Sequence, residues 1–496
     1  MNLMMLLEMA AGGYDDRVAI GDKTSGITYA QLFQLAGQGA TWLRNQPAER
    51  LLYTNQSAPA LPVALYASSW AGKPFVPVSY RLADDRLQAL LARQAPATLL
   101  AGPKDEARLG PIGGIEYVDC DGFLPSLANQ PMADTDWSMD GEDIAVLLHT
   151  SGTSGDPKVA VLRQRHLVSY VIGSVEFFGA EEDEATLVCV PPYHIAGMSA
   201  ILTSVYAGRR IVQLPTFEPA EWVRLVREQE VTHAMVVPTM LARITEVLED
   251  GKGLPSMRHL SYGGGRMPLP VIEKALELLP GVNFVNAYGL TETSSSIAVL
   301  GPDDHRAALG SDDESVRRRL GSVGRPLPTV EISIRDLDGN PLPTGEHGEV
   351  WVRGEQVSGE YSQKGAAGGE GWFATKDGGY FDEGGYLFVE GRIDDVIVRG
   401  GENLSPGEIE DVLLEHPAVT DAVVFGVPDT DWGEVVAASV VLHEGMTVEP
   451  EELVQWVTKH LRSSRAPAVV QIRSELPYND TGKVLRRVLR DEFSKS

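Results

Sequence analysis

The sequence predicts an α/β protein: a large N-terminal domain of parallel sheets with helices plus a β-rich section, and a small α+β C-terminal domain. Three observations predict it. Through about residue 390, short β-like apolar runs alternate with segments of helical spacing, the pattern of parallel strands joined by crossover helices. From 321 to 390 the texture becomes alternating residues broken by Gly and Pro, which favours antiparallel pairing. After GRIDD at 391–395 a unit of roughly 100 residues begins, an ordinary domain size. The domains are expected over 1–391 and 392–496.

The chain opens with MNLMMLLEMAAGG. It lacks a basic leading region and carries Glu8 inside the apolar run, so an amphipathic helix is expected rather than a signal peptide. Strands are expected at LLYTN (51–55), ATLLAG (97–102), DIAVLLHT (143–150), ATLVCVPP (185–192), RIVQLP (210–215), THAMVVP (232–238) and VNFVNAYG (282–289). Helical spacing marks AEWVRLVREQE (220–230), TMLARITEVLED (239–250) and LPVIEKALELLP (269–280). GRPLPTVEISIRDLDG (324–339) and GEHGEVWVRG (345–354) read as antiparallel strands. In the small domain, SPGEIEDVLLEHP (405–417) is a helix with Ser405 as N-cap and proline in its first turn. VTDAVVFGV (419–427), EVVAASVVLHE (434–444) and AVVQIRSEL (468–476) are strands; EPEELVQWVTKHLRSS (449–464) and TGKVLRRVLRDEF (481–493) are helices.

Composition narrows the function classes. The chain has 496 residues and 43% hydrophobic residues, which excludes a largely disordered protein. Asp and Glu number 69 against 42 Lys and Arg, a formal net charge of −27. Such a surface repels nucleic acid and anionic lipid, so an anionic ligand needs a local positive site. Two cysteines, Cys120 and Cys189, without metal-like spacing fit a reducing cytoplasm. No run reaches the uninterrupted apolar length of a transmembrane segment.

Chemistry first shows in LLHTSGTSGDPKVAVL, residues 147–162. Ser/Thr/Gly clusters between apolar runs are most often plain turns. Here Lys158 closes a cluster of Thr150, Ser151, Gly152, Thr153, Ser154 and Gly155, which suits an anion such as phosphate. It is not a P-loop, because Pro157 precedes Lys158 and Val159 follows it.

Six stretches occur in one order: HTSGTSGDPK (149–158), PPYHIAGM (191–198), SYGGGRMP (261–268), NAYGLTET (286–293), GWFATKDGGYFDEGGYLFVEGRIDDVIVRGGENLSPGEIE (371–410) and LPYNDTGKVLRR (476–487). Each is weak alone. The ordered set resembles the adenylate-forming superfamily of acyl-CoA synthetases, firefly luciferase and nonribosomal-peptide adenylation domains, over essentially the whole chain. The resemblance implies activation of a carboxylate by ATP to an acyl-adenylate and pyrophosphate, followed by attack of a thiol.

It also implies roles for matching residues. Thr150, Ser151, Gly152, Thr153, Ser154, Gly155 and Lys158 would hold the ATP β- and γ-phosphates. Gly263, Gly264, Ala287, Tyr288 and Gly289 would border adenine, with Thr291 on the adenylate phosphate and Glu292 toward Mg²⁺. Asp377 would take the ribose hydroxyls, with Arg392 beside it. Lys483 would meet the carboxylate and α-phosphate, where a fixed cation stabilises developing charge. His194, Ile195, Val236, Gly265 and Ala287 would line the acid pocket, and Asp394 would be the hinge. Gly400, Gly401, Asn403 and Trp432 would line the CoA path.

Some positions depart from the family pattern. Val159 and Lys376 replace glycines, and Arg266 stands where proline is common and reads as a surface arginine. No aspartate occupies the stretch matching YHIAGMS, where peptide-synthetase domains pair a substrate amino group, so free CoA is the expected acceptor. The expected ligands are ATP, Mg²⁺, CoA and an uncharged bulky acid: aromatic, cyclic or medium-chain. An acyl-AMP ligase serving a separate carrier protein and a non-catalytic ligand-binding relative are the alternatives. A homodimer is compatible with the sequence.

Overall fold

The computed structural model describes residues 1–150, 158–248, 251–362, 371–400, 402–478 and 484–493. Two sheets build the large domain. One has six strands in the order Ile115–Asp119, Ala97–Ala101, Arg50–Tyr53, Phe75–Pro77, Ile144–Thr150 and Lys158–Arg163. Its first five strands are parallel, and the last pairs antiparallel with Ile144–Thr150. The other sheet has nine strands. Its parallel centre runs Asn283–Leu290, His259–Gly263, His233–Val236, Ala185–Val188, Arg210–Gln213 and Val18–Ile20. Antiparallel strands close both edges: Ser295–Leu300 and Arg325–Pro326 on one side, Ile27–Thr28 on the other.

One hydrophobic core joins the two sheets. It takes Leu51 and Phe75 from the first, Ile211 and Val188 from the second, and the helices Leu3–Gly13, Tyr29–Arg44, Ala60–Ala71 and Ile195–Ala207. The opening apolar run therefore forms a packed helix, as its pattern predicts. Asn2 caps it by accepting the Met4 N–H, while Leu3, Met4, Leu6 and Leu7 are buried and Glu8 stays exposed. Each such leucine contributes about 1.5–3 kcal/mol by leaving water.

The β-rich section is a four-stranded antiparallel sheet, Val330–Arg335, Gly348–Gly354, Phe373–Phe381 and Leu387–Arg392. A single turn, Ile393–Asp395, separates its last strand from Ile397–Arg399, the first strand of the small domain. There, Val419–Asp429 and Gly433–Leu442 form a long hairpin, and Val469–Arg473 adds in parallel. Helices Pro406–Leu414, Pro450–His460 and Arg486–Phe493 accompany that sheet.

Two local expectations change, and Val159 finds a reason. The strand at 185–192 ends at Val188, before the two prolines, which cannot donate to a ladder. Ser405 sits at the N-cap position, but its hydroxyl donates to the Glu390 carbonyl instead of capping the helix. Val159 is a buried strand residue packed with Leu147 and Val161, a place that suits a β-branched side chain better than glycine. Both cysteines are buried and free. No helix among the described residues is long and apolar enough to cross a membrane.

Candidate active site

The phosphate-loop candidate begins and ends on one hairpin. Thr150 and Lys158 lie opposite each other at its mouth, and the Thr150 hydroxyl donates to the Lys158 carbonyl at 3.4 Å. Ser151, Gly152, Thr153, Ser154 and Gly155 lie outside the described residues, as do Gly401, Lys483 and the side chain of Asn403.

The segment 358–362 lies along Lys158–Arg163. Ala160 bridges Tyr361, the Val161 N–H donates to Glu360 O at 3.0 Å, and the Ser362 N–H donates to Val159 O at 3.0 Å. Arg163 grips Glu360 with two contacts of 2.9 and 2.8 Å, and that hydrogen-bonded carboxylate raises the guanidinium pKa. This pairing brings Tyr361 to Glu292. Its hydroxyl donates to Glu292 Oε1 at 2.6 Å, while Lys158 Nζ lies 5.3 Å from the centre of the Tyr361 ring. Burial first, then the Glu292 carboxylate, pushes the Tyr361 hydroxyl pKa up, so it remains a donor.

Glu292 sits in the short turn Thr291–Thr293, and its carbonyl accepts the N–H groups of Ser358 and Gly359. The next two residues are strained: Ser294 has φ +57° and Ser295 φ +118°. Such conformations persist only where the surroundings enforce them. Here the fully buried Gln356 amide donates to Thr293 O and Ser296 O, and the Thr293 hydroxyl accepts from Leu290 N–H and donates to Ser295 O. Glu292 is buried at 8% exposure.

Tyr288, Asp377 and Arg392 make the second half of the cluster. Asp377 and Arg392 are directly opposite on neighbouring strands. Tyr288 Oη donates to Asp377 Oδ2 at 2.6 Å, and Arg392 Nη1 donates to Asp377 Oδ1 at 3.2 Å and Thr375 O at 2.8 Å. Burial works to lower the Arg392 pKa, but Asp377, Glu292 and Tyr288 together raise it above its ordinary value. Burial, then Asp377, lifts the Tyr288 pKa well above the phenol range, so this hydroxyl too keeps its proton. Lys376 adopts φ +67°, the left-handed conformation that glycine would take without strain, so the local backbone shape is kept despite the substitution.

Gly263 lies in register with Ala287, and a Cβ on Gly263 would meet the Ala287 carbonyl at 2.2 Å. Only glycine lets these strands approach there. Gly264 and Gly265 follow, exposed, while Gly289 continues the neighbouring strand. His194 precedes helix Ile195–Ala207, its ring 4.5 Å from that of Tyr193, which in turn lies edge-on to Tyr80 at 5.5 Å. Ser199 of that helix accepts from Ser295 at 3.2 Å, which ties the helix to the Glu292 turn. Ile195 packs on the main core. Val236, expected to line the acid pocket, has 0% exposure and packs with Leu241, Leu260 and Tyr262, so it offers no surface there.

In the small domain, Gly400 takes φ +58° and donates its N–H to Trp432 O at 2.8 Å. Trp432 is 53% exposed, with Arg399 5.3 Å from its ring centre. Asp394 is exposed in the connecting turn. Arg266 is not the plain surface arginine its position suggests: it pairs with Asp411 of the small domain.

Among the described residues no group of three or more His, Cys, Asp or Glu side chains could hold a metal. One buried carboxylate, Glu292, beside a phosphate-loop candidate fits Mg²⁺, which takes few protein oxygens and completes its shell from phosphates and water.

A family model described as AMP-binding enzyme matches residues 7–362, and another, AMP-binding enzyme C-terminal domain, matches 408–483. The chain belongs to the AMP-binding enzyme family. It is a member of the AMP-forming acid–CoA ligases within it. A 2-succinylbenzoate–CoA ligase of Bacillus licheniformis is 33% identical, with 96% of each chain covered. A feruloyl-CoA synthase of an Amycolatopsis species is 30% identical, with 94% of each covered. Among solved AMP-binding enzymes, the o-succinylbenzoate CoA synthetase of Bacillus subtilis bound to its acyl-adenylate intermediate superposes with a TM-score of 0.84 at 30% identity, covering 98% of each chain. The same enzyme has been solved with ATP and magnesium ion. An amide bond synthetase from Marinactinospora thermotolerans gives 0.84 at 28% identity, covering 99% of this chain and all of that one.

Sequence reasoning missed Tyr361, Gln356 and the Arg163–Glu360 clamp. The signal for Tyr361 was slight, a lone tyrosine in SGEYS after an alternating strand.

Proposed function

We propose that this AMP-binding enzyme is an ATP-dependent carboxylic acid–CoA ligase that acts on an aromatic acid. The observation that carries the reading is the cluster of Glu292, Tyr288, Asp377 and Arg392 beside Lys158, with both carboxylates buried. In the first half-reaction a carboxylate oxygen attacks the α-phosphorus of ATP, the α–β phosphoanhydride bond breaks, and pyrophosphate leaves. In the second, the CoA thiol loses its proton and attacks the acyl carbonyl, and AMP departs with the electron pair of the acyl–oxygen bond.

Asp377 has two oxygens with about four acceptor sites between them, so both ribose hydroxyls can bind there alongside the Tyr288 and Arg392 donors that orient it. Lys158 and the loop ahead of it take the phosphates, and Thr291 takes the adenylate phosphate. Glu292 holds Mg²⁺, which neutralises charge on the phosphates when bound. Lys483 stabilises the charge that builds as two anions meet. His194 borders the acid at the edge of the pocket. An aromatic acid is supported by the edge-on series Tyr80, Tyr193 and His194, and by relatives that are 2-succinylbenzoate and feruloyl ligases. The catalytic unit divides at 391/392, with Asp394 as hinge, and Gly400, Gly401, Asn403 and Trp432 line the route of CoA.

The test is acid-dependent pyrophosphate release over aromatic, cyclic and medium-chain acids, with CoA, with an amine, and with neither, the products read by mass. Thioester formation with aromatic acids is expected. An adenylate that never passes to CoA overturns the acceptor and favours a carrier protein; an amide product favours an amine; preference for aliphatic acids overturns the substrate class. Lys483→Ala should slow adenylate formation by roughly 100- to 1000-fold, while thioester formation from supplied acyl-adenylate survives.

A further inference from the structure

Arg266 follows directly on Gly263–Gly265, the loop that ends strand His259–Gly263 in the large domain. Its guanidinium crosses to helix Pro406–Leu414 of the small domain and pairs with Asp411. It lies against Gly407, one helical turn before Asp411 and on the same face. A Cβ on Gly407 would stand 1.7 Å from Arg266 Nη1, so an alanine there would force the end of the arginine to shift. One residue of the large domain and two on one helix of the small domain thus form one contact between them.

The same helix also contacts the last helix of the small domain, Arg486–Phe493. Glu410, next to Asp411, accepts from Arg486 and from the Val424 N–H at 2.8 Å. Arg486 lies three residues after Lys483 and also reaches Asp395 in the connecting turn, at 3.9 Å. Only Ser405 separates helix Pro406–Leu414 from strand Glu402–Leu404, which holds Asn403 of the proposed CoA route. Whatever fixes this helix against the large domain therefore also bears on the last helix and on strand Glu402–Leu404.

We propose that Arg266 is a positioning residue: its ion pair with Asp411 across Gly407 latches the small domain to the acid-site loop in this arrangement and opens when that domain turns. The proposal rests on the two-step reading above. Rotation at 393–395 would carry Asp411 away from Arg266, because the two lie on opposite sides of the turn. The pair holds one arrangement against the other, and its loss redistributes the enzyme between them.

Three variants reach the contact by different chemistry: Arg266→Ala removes the cation, Asp411→Asn the charge of its partner, and Gly407→Ala the space. Each should shift the ratio of acyl-adenylate formation to thioester formation by roughly fivefold or more, all in the same direction, one half-reaction slowing as the other gains. Arg266→Lys, which keeps the charge, should lie between Arg266→Ala and the parent. Equal slowing of both half-reactions, or shifts of opposite sign among the variants, overturns the latch. Energy transfer between dyes on cysteines placed at exposed Leu309 and Met446 reads the domain arrangement without any acid. A changed distance distribution in Arg266→Ala supports the latch, and an unchanged one overturns it. If no acid yields adenylate, the proposed reaction fails, while the dye experiment still decides the latch.

Discussion

Asp377 and Arg392 face each other in register across two antiparallel strands, and a 3.2 Å contact from the guanidinium closes the gap between their side chains. The Tyr288 hydroxyl completes the arrangement on the other carboxylate oxygen at 2.6 Å. Asp377→Ala should raise the KM for ATP by roughly 10- to 100-fold, the scale of about 1.5–3 kcal/mol for a hydrogen bond to a charged group. Tyr288→Phe should raise it by only about fivefold, near 1 kcal/mol for a neutral donor. The order of preferred acids should not change in either variant. Steady-state kinetics across several acids checks this, and a changed acid order with unchanged ATP use would place Asp377 in the wrong pocket.

Tyr361 holds the carboxylate assigned to Mg²⁺ and lies beside Lys158. Partners that orient a metal ligand commonly carry 10- to 100-fold of metal affinity. Tyr361→Phe removes only the hydroxyl and should weaken Mg²⁺ affinity by roughly tenfold. Tyr361→Leu also removes the ring and should weaken ATP binding further. Calorimetric titration of Mg²⁺ and of ATP, without turnover, separates the two; equal behaviour of the variants would show that the ring beside Lys158 adds nothing.

Lys376 occupies the left-handed region at φ +67°, and its exposed side chain reaches Glu349 Oε1 only at 3.5 Å. That conformation costs a non-glycine residue about 1–2 kcal/mol. Glycine returns about 0.5–1 kcal/mol of this through the freedom of the unfolded chain. Lys376→Gly should be neutral or more stable by up to about 1 kcal/mol, with activity intact. Lys376→Val should be less stable than the parent, because a β-branched side chain fits this conformation worst. Denaturant melts rank the three, and valine above glycine would be the wrong order.

Burial pushes His149 down to about 4, and burial with Arg165 and Arg163 pushes His166 down to about 3. His166 Nδ1 accepts the Arg163 N–H at 3.1 Å, which the neutral ring allows. Both folded values lie below the unfolded value of 6.5, so the stability they give is present above pH 6.5 and is lost as pH falls. Between pH 6.5 and 5 each histidine should add up to about 1.4 kcal/mol per pH unit to the loss. His166→Gln should flatten that slope, while an unaltered slope would mean that His166 is already protonated in the folded state.

Asp394 is the second residue of a turn closed by the Val396 N–H to Ile393 O at 3.2 Å. Proline is favoured at that position, so Asp394→Pro should fold and hold the turn as it stands. Its fixed φ would oppose rotation. Adenylate formation should survive and thioester formation should be lost. Measured separately, equal loss of both steps would argue against a hinge here.

The alternating strand and helix patterns were legible because burial on one or both faces leaves a period in the residues themselves. The helix at 3–13 and the strands of the β-rich section follow from it. Tyr288, Glu292, Asp377 and Arg392 stood out because each lies in a compact motif. Tyr361 and Arg266 did not, because their partners lie 69 and 145 residues away. Distance along the chain hides such pairs, and a single arginine or tyrosine carries no spacing to read. Val236 shows the opposite failure: its position in the chain suggested a pocket wall, and packing made it core.

The aromatic series Tyr80, Tyr193 and His194 lies on loops between the large sheets, whereas Asp377 and Arg392 belong to the four-stranded sheet and Glu292 to the strained turn held by Gln356. On the proposed reading, acid and nucleotide are met by different elements of one chain, tied only where Ser295 donates to Ser199 of the helix that follows His194. On that division a change of diet would be written in the loops, and the currency of activation in the four-stranded sheet and the strained turn.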